Sequence, residues 1–309
     1  MLASPALQRP PSLLGGGAPE AASVPTTGDT PRPRTHKSRS LPSDDEPRHN
    51  AALHLEEHPS PLALIELHRL DKRYTTGTLA VQALDLQIAA GEFVALLGPS
   101  GCGKSTVLRM VAGLEAPSAG TLVAPEGQAT GYVFQEPTLM PWADVFDNVW
   151  LPLRIAGMRR AIARHRIEAL LQSVGLSEFA HAYPSELSGG MKMRTSIARA
   201  LVTQPQLLLM DEPFAALDEI TRQKLNDDLL GWWQAQRFTA LFVTHSVYEA
   251  VFLSRRVLVM SGRPGRLVAE VPIDEPYPRG PAFRTSVRYA ERCAEIMQAL
   301  QRSHAQATA

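Results

Sequence analysis

The sequence predicts an α/β fold with a mixed central sheet, and three observations carry that reading. The first is Gly98-Pro99-Ser100-Gly101-Cys102-Gly103-Lys104-Ser105-Thr106, which matches the phosphate-loop pattern G-x-x-x-x-G-K-[ST] with a second hydroxyl residue behind it. The second is the setting of that loop. Phe93–Leu97 is a continuous apolar run of strand length, and Val107, Leu108, Met110, Val111 and Leu114 recur at helical spacing before the stop at Gly113. The third is a pair of later strands, Leu207–Asp211 followed by Glu212 and Thr239–Val243 followed by Thr244-His245, which deliver polar groups to the edge where open α/β sheets bind ligands.

Taken in order, the chain begins with a segment of a different kind. Eleven of its 25 prolines fall in the first 61 positions, among Ser, Thr, Arg and a Gly15-Gly16-Gly17 run. Such a composition buries too little apolar surface to offset its ordering entropy, so residues 1–60 are read as disordered. Glu20, Asp29, Asp44, Asp45 and Glu46 break the acid-poor rule of a transit peptide, and there is no apolar core of a secretory signal. His49, His54 and His58 read as solvated tail histidines. Order begins near Leu62, with β-like alternation over Leu64–Leu67 and Leu79–Ile88 that predicts antiparallel strands. Tyr74 between them is either a packing residue or a ring for stacking on adenine.

At the phosphate loop, the strand, the glycine turn and the helix N-terminus present backbone N–H groups to an anion. Lys104 would reach the β and γ phosphates of a nucleotide, and Ser105 would hold Mg²⁺. Two strands follow, Gly120–Val123 and Thr130–Phe134, the second ended by Gln135. After the loop Glu136–Trp142, residues 145–203 are mostly helical, an insertion that predicts a subdomain; Ile162, Ile167, Leu170, Leu171 and Val174 mark one of its helices. Leu187-Ser188-Gly189-Gly190 opens another, whose buried side is Met193, Ile197, Ala200 and Leu201, and its N-terminus is a second candidate anion site.

Asp211 is placed to reach Mg²⁺, directly or through water, and Glu212 to take a proton from an attacking water or to orient it. A helix to about Gln236 follows Ala215–Asp218, and His245 could hydrogen-bond the γ-phosphate. The remainder reads as a strand Arg256–Met260, a turn Gly262-Arg263-Pro264-Gly265-Arg266, a strand to Val271 and a terminal helix. That helix shows an apolar stripe of Phe283, Val287, Ala290, Ala294 and Met297.

Composition excludes several classes. With 31 basic and 31 acidic residues the formal net charge is zero, so bulk phosphate neutralisation of nucleic acid is not encoded. The two cysteines, Cys102 and Cys293, lie far apart and outside any CxxC spacing, which argues against a disulfide framework or zinc site and for a reducing cytosol. No stretch of 18 apolar residues runs without charge, so action at a membrane would require docking through partners.

Together these motifs resemble the ATP-binding subunit of ABC transporters over residues 62–271. In that resemblance Walker A is Gly98–Thr106, the Q-loop is Gln135, the signature is Leu187–Gly190, Walker B is Leu207–Asp211 with Glu212, the D-loop is Ala215–Asp218 and the switch histidine is His245. It implies a P-loop NTPase of ABC type, with an antiparallel β subdomain and an inserted α-helical subdomain at about 137–205. A linker and an amphipathic helix then occupy 272–309. It implies ATP and Mg²⁺ as cofactors, with Ser105, Gln135 and Asp211 around the metal, Glu212, His245 and Gln135 in catalysis, and Tyr74 stacking on adenine. Ser188, Gly189 and Gly190 would contact the ATP of a second copy packed head to tail, with Asp218 at the same junction. The signature usually continues with Gln, where this chain has Met191; the serine and the backbone N–H groups make the family's phosphate contact.

Leu139-Met140-Pro141-Trp142, Ser188–Met191, Asp211–Asp218 and Gly262–Arg266 are similar to the nitrate, sulfonate and taurine importer branch. The resemblance therefore implies a peripheral protein on the cytoplasmic face of the cell membrane, working with permease subunits and a separate substrate-binding protein, and no nucleic acid. A thiamine-pyrimidine precursor is an alternative cargo. A soluble ABC ATPase acting on nucleic acid or ribosomes is the other reading, disfavoured by the single Walker A, the lack of sustained heptads and the zero net charge.

Overall fold

The computed structural model describes residues 63–125, 127 and 130–308, with side chains to Ser303. The expectation of disorder over 1–60, with its three histidines, lies outside the described residues. Two sheets organise the rest. Strands β1 (Ala63–Arg73), β2 (Leu79–Ala89) and β4 (Ala119–Val123) form an antiparallel sheet in the order β2-β1-β4. The central sheet runs β5-β6-β7-β3-β8-β9, built from β3 (Phe93–Leu97), β5 (Thr130–Val133), β6 (Leu207–Asp211), β7 (Thr239–Thr244), β8 (Arg256–Met260) and β9 (Leu267–Pro272). All its pairings are parallel except β8 with β9. The mixed sheet and the antiparallel subdomain agree with the sequence reading.

Burial on both faces explains why the central strands are uninterrupted apolar runs. Alternate residues of each strand enter different cores. Val94, Leu96, Leu209, Leu241 and Val243 pack with Ile65, Leu67 and Ile88 of the antiparallel sheet and with helix α1 (Lys104–Val111). Phe93, Ala95, Leu208, Met210, Ala240 and Phe242 face the other core, shared with the remaining helices. The inserted helices are α2 (Val145–Ile155), α3 (Arg160–Ser173) and α4 (Gly189–Leu201). Helix α5 (Glu219–Gln236) ends at Arg237, which takes the left-handed conformation at φ 57°. Helix α6 (Val247–Leu253) follows His245, and α7 (Pro281–Arg284) and α8 (Val287–Thr308) close the chain.

The predicted buried side of α4 is correct: Met193, Ile197, Ala200 and Leu201 are all in the core. Three other helical stripes need correction. In α3 the buried residues are Ala163, Ile167 and Leu171, while Ile162 is exposed. Leu114 likewise lies beyond α1 and is exposed. The terminal stripe is also displaced: Tyr289, Cys293, Ile296, Ala299 and Ser303 are buried, whereas Val287, Ala290, Ala294 and Met297 are exposed. Its cause is a phase break. Phe283 belongs to the separate α7, and Ser286 Oγ accepts from Tyr289 N at 3.1 Å to start a new helix. Counting from Phe283 therefore carries the wrong phase into α8.

This assignment separates two substitutions on one helix. Ile296→Ala is expected to cost about 2–5 kcal/mol through lost burial and the cavity left behind. Val287→Ala should stay within about 0.5 kcal/mol. Urea midpoints of the two variants would check it; equal losses would restore the sequence-derived stripe.

Candidate nucleotide-binding site

The loop between β3 and α1 is shaped by close backbone approach. Gly103 has φ +105°, and a Cβ there would come within 2.7 Å of the Ala80 carbonyl oxygen. Gly101 at φ +75° also needs the left-handed region. Cys102 points away from any ligand: its side chain is buried in the apolar core, which pushes the thiol pKa up, so it offers the site only its backbone. Helix α1 starts with no side-chain cap and no acid in its first turn, leaving its N–H groups for an anion. Lys104, 5% exposed, donates from Nζ to the carbonyls of Gly98 at 2.9 Å and Pro99 at 3.1 Å. The same ammonium lies 3.6 Å from Glu212 Oε1.

Parallel pairing of β6 with β7, and of β7 with β3, aligns the strand ends that carry the acids. Ser105 Oγ donates to Asp211 Oδ1 at 2.9 Å, and Tyr132 OH to Oδ2 at 3.4 Å. Burial pushes the Asp211 carboxyl pKa up, outweighing the Ser105 hydrogen bond that lowers it. Glu212 takes φ 47°, a strained value for a non-glycine residue, and its N–H donates to Val243 O at 2.9 Å. Its Oε2 lies 3.1 Å from His245 Nδ1. Strain sits where the carboxylate must be aimed.

An open cleft of about 460 Å³ fronts these groups, with Tyr74, Ser100, Lys104, Ser105, Gln135 and Glu212 among its lining residues. Tyr74 OH is 3.1 Å from Thr106 Oγ1, and Lys72 Nζ is 5.2 Å from the tyrosine ring centroid. Ser105, Asp211 and Gln135 supply hydroxyl, carboxylate and amide oxygens, the hard donors that suit Mg²⁺. Among the described residues no group of three His, Cys, Asp or Glu side chains is arranged to hold a metal.

Asp211 and His245 reach the cleft through Ser105 and Glu212, but Ser188, Gly189, Gly190 and Asp218 lie elsewhere, neither lining it nor hydrogen-bonded through their side chains to a residue that does. Ser188 caps α4, accepting from Met191 N at 3.3 Å, and Asp218 caps α5, accepting from Thr221 N at 2.9 Å. The Thr221 hydrogen bond holds the Asp218 carboxyl pKa below its ordinary value. These helix starts touch: a Cβ on Gly190 would meet Thr221 Cγ2 at 2.7 Å. The helix starts at Ser188–Gly190 and at Asp218 are therefore adjacent.

Sequence reasoning missed Thr76, Thr78 and Arg263 in the cleft wall, and Tyr132 beside Asp211. The Gly262–Arg266 turn was a usable signal for Arg263, since a glycine-bounded turn beyond a strand end projects its side chains. Also missed was Glu249, 6% exposed, whose Oε2 accepts from Thr244 Oγ1 at 2.5 Å. Thr244 Oγ1 in turn accepts from Ser246 N at 3.0 Å, closing a turn around His245.

Burial pushes the Glu249 carboxyl pKa above its ordinary 4.5, despite the Thr244 hydrogen bond and nearby Arg222. A raised folded pKa means that the group's contribution to stability is complete below the unfolded value and is lost as pH rises through the folded one. Glu249→Gln keeps an acceptor for Thr244 without the charge. It should melt above the parent protein at pH 8, with the gap closing as pH falls toward 4.5. Calorimetric Tm values across that range would check this, and a gap independent of pH would contradict it.

Comparison with known proteins gives the family. The ABC transporter family model matches residues 81–215. A putative ATP-binding protein of Brucella abortus biovar 1 is 49% identical over 220 residues, covering 69% of this chain and 85% of the relative. The aliphatic sulfonates import ATP-binding protein SsuB 1 of Pseudomonas savastanoi pv. phaseolicola is 47% identical, covering 68% and 86%. The taurine import ATP-binding protein TauB of Rhizobium johnstonii is 47% identical, covering 65% and 79%. Among solved structures, CbiO1 of Clostridium perfringens, part of the CbiONQ transporter complex, aligns with TM-score 0.64 at 25% identity, covering 76% of this chain and 99% of that one. A dimeric ATP-binding cassette in a post-hydrolysis state with ADP and Pi aligns with TM-score 0.61 at 30% identity, covering 68% and 99%. On its phosphate loop, its paired strand-end acids and these relationships, the chain belongs to the ATP-binding proteins of the ABC transporter family.

Proposed function

We propose that this ABC ATPase powers an importer for small anions or organic solutes of the nitrate, sulfonate and taurine kind, with sulfonates including taurine as the leading cargo class. The observation that carries the cargo is the 47% identity to relatives named for import of aliphatic sulfonates and of taurine. No helix among the described residues is long and apolar enough to cross a membrane. The import function for which these relatives are named supports assigning the chain to the cytoplasmic face of the membrane, bound to permease subunits that receive cargo from a separate binding protein.

The geometry supports a division of labour. Lys104 is poised to exchange its contacts with Gly98, Pro99 and Glu212 for the β and γ phosphates of ATP. That exchange frees Glu212 to take a proton from the attacking water. His245, 3.1 Å from Glu212, holds that carboxylate and the γ-phosphate in register. Ser105, Asp211 and Gln135 would hold Mg²⁺, which supplies charge neutralisation of the phosphates. Tyr74 at the far wall takes the adenine ring. Pro99 and Ser100 shape the loop crown, where Cys102 N donates to Pro99 O at 3.3 Å, and the N–H groups of Gly98, Gly101, Gly103 and Thr106, with that of Cys102 once Pro99 O is released, would complete the phosphate cradle.

Placement of Ser188 and Asp218 outside their own cleft favours a shared site, in which each cleft is completed by a second copy's signature. The dimeric relative with ADP and Pi supports that arrangement.

Glu212→Gln should retain ATP but slow hydrolysis at least about 10²-fold, sedimenting as a dimer with Mg-ATP and as a monomer without. Lys104→Ala should lose ATP binding, and Ser188→Arg should bind ATP as a monomer without closing. A Glu212→Gln protein with full turnover, or a Ser188→Arg protein that dimerises normally, would count against these roles. For the cargo, cells carrying the Glu212→Gln allele should lose uptake of labelled taurine; undiminished uptake would redirect the search to nitrate or a pyrimidine precursor.

A further inference from the structure

We propose that Arg263, on the turn between β8 and β9, is a further nucleotide-binding residue whose guanidinium closes the outer wall of the cleft over the phosphate chain. The inference rests on the ATP-site reading above and extends it to a residue outside the phosphate loop and strand-end motifs.

Three observations carry it. The turn is hydrogen-bonded to β2 and packed against the phosphate loop. Gly265 N donates to Ala80 O at 2.9 Å, Gln82 N donates to Gly265 O at 3.0 Å, and Ser261 Oγ donates to Pro264 O at 3.1 Å. A Cβ on Gly265 would collide with the Cys102 carbonyl oxygen, so the turn sits as close to the loop as backbone permits. Arg263 is thereby presented, not left to wander.

The guanidinium is aimed along the loop. Arg263 Nε and Nη2 both donate to the single carbonyl of Gly101, at 3.2 and 3.1 Å, and the side chain lines the cleft with Lys104 and Ser100. Two donors spent on one acceptor leave Nη1 and its fork geometry available, and a planar fork of this kind matches phosphate oxygens.

Arg263 also has no carboxylate partner among the described ion pairs, unlike Arg256, which pairs with Glu92 and Glu270, or Arg284, which pairs with Asp227. An exposed guanidinium without an acid, beside a polyphosphate cleft, is complementary to a nucleoside di- or triphosphate. Purely structural pinning of Gly101 is the competing role, and the two differ in how they respond to phosphate number.

Titration calorimetry of ATP, ADP and AMP against the full chain would decide, using the parent protein and the Arg263→Ala, Arg263→Lys and Lys104→Ala variants. Arg263→Ala should weaken ATP and ADP about five- to tenfold and AMP less, and Arg263→Lys should recover most of the loss. The deficit should shrink as salt rises. Unchanged ATP affinity in Arg263→Ala overturns the proposal. So does an equal loss for all three nucleotides accompanied by a lower Tm, which would assign the residue to loop support alone. Failure of the ATP-site reading looks different: the parent protein and Lys104→Ala would then bind ATP equally poorly.

Discussion

The arrangement depends on one constraint: an ammonium, two carboxylates and an imidazole must crowd together at the ends of β3, β6 and β7. A lysine that is 5% exposed carries a heavy desolvation cost unless it is hydrogen-bonded and paired. Here two loop carbonyls and Glu212 supply that compensation. Those partners occupy their positions because parallel register sets Leu97 opposite Thr244 and Asp211 opposite Val243. One register slip would send Asp211 to the other face of the sheet. Double-sided burial of the three strands is what fixes that register, so the apolar runs and the polar strand ends are parts of one device.

A second consequence concerns the helices that leave this edge. Helix α5 starts at Asp218 and α6 just after His245, and Arg222 links them: Nη2 donates to Leu217 O at 2.8 Å and Nε lies 3.9 Å from Glu249 Oε1. Glu249 grips Thr244, next to His245. Leu217, Arg222, Glu249 and Thr244 thus run from the Asp218 helix start toward His245, with Arg222 Nε and Glu249 Oε1 facing each other at ion-pair distance but not hydrogen-bonded.

Legibility in the sequence followed the range of the chemistry. The phosphate loop, the Asp211-Glu212 pair and His245 are readable because each depends on residues adjacent in the chain, and their company makes the set specific. The buried side of α4 was readable because a glycine pair and Ser188 mark where its phase begins. No comparable mark separates α7 from α8 until Ser286 is seen capping Tyr289, and so the terminal stripe was assigned one phase too early. Arg263 and Glu249 are hard to read for another reason: the Gly262–Arg266 turn signals that Arg263 projects but not what it meets, and no signal marks Glu249. Each acts across 162 and 5 positions respectively, yet neither belongs to a pattern whose spacing implies its partner: only the packed turn and the packed helix reveal them.

Helix α4 brings these strands of argument together. It spans 13 residues, about 19 Å at 1.5 Å per residue, and its start at Ser188 is the surface proposed to meet a second copy's nucleotide. Toward its other end Arg199 donates to the carbonyls of Pro137 and Thr138, each at 2.8 Å, directly behind Gln135. Asn148 of α2, fully buried, fixes the same loop from the far side through Met140 and Ala143. Trp142 stands exposed at the loop's tip, 76% accessible. Any rearrangement of the loop after Gln135 must therefore break or carry with it its hydrogen bonds to α4 and α2. Helix α4 and helix α2 thus hold, by hydrogen bonds from Arg199 and Asn148, the loop that leads from the cleft residue Gln135 to the exposed Trp142.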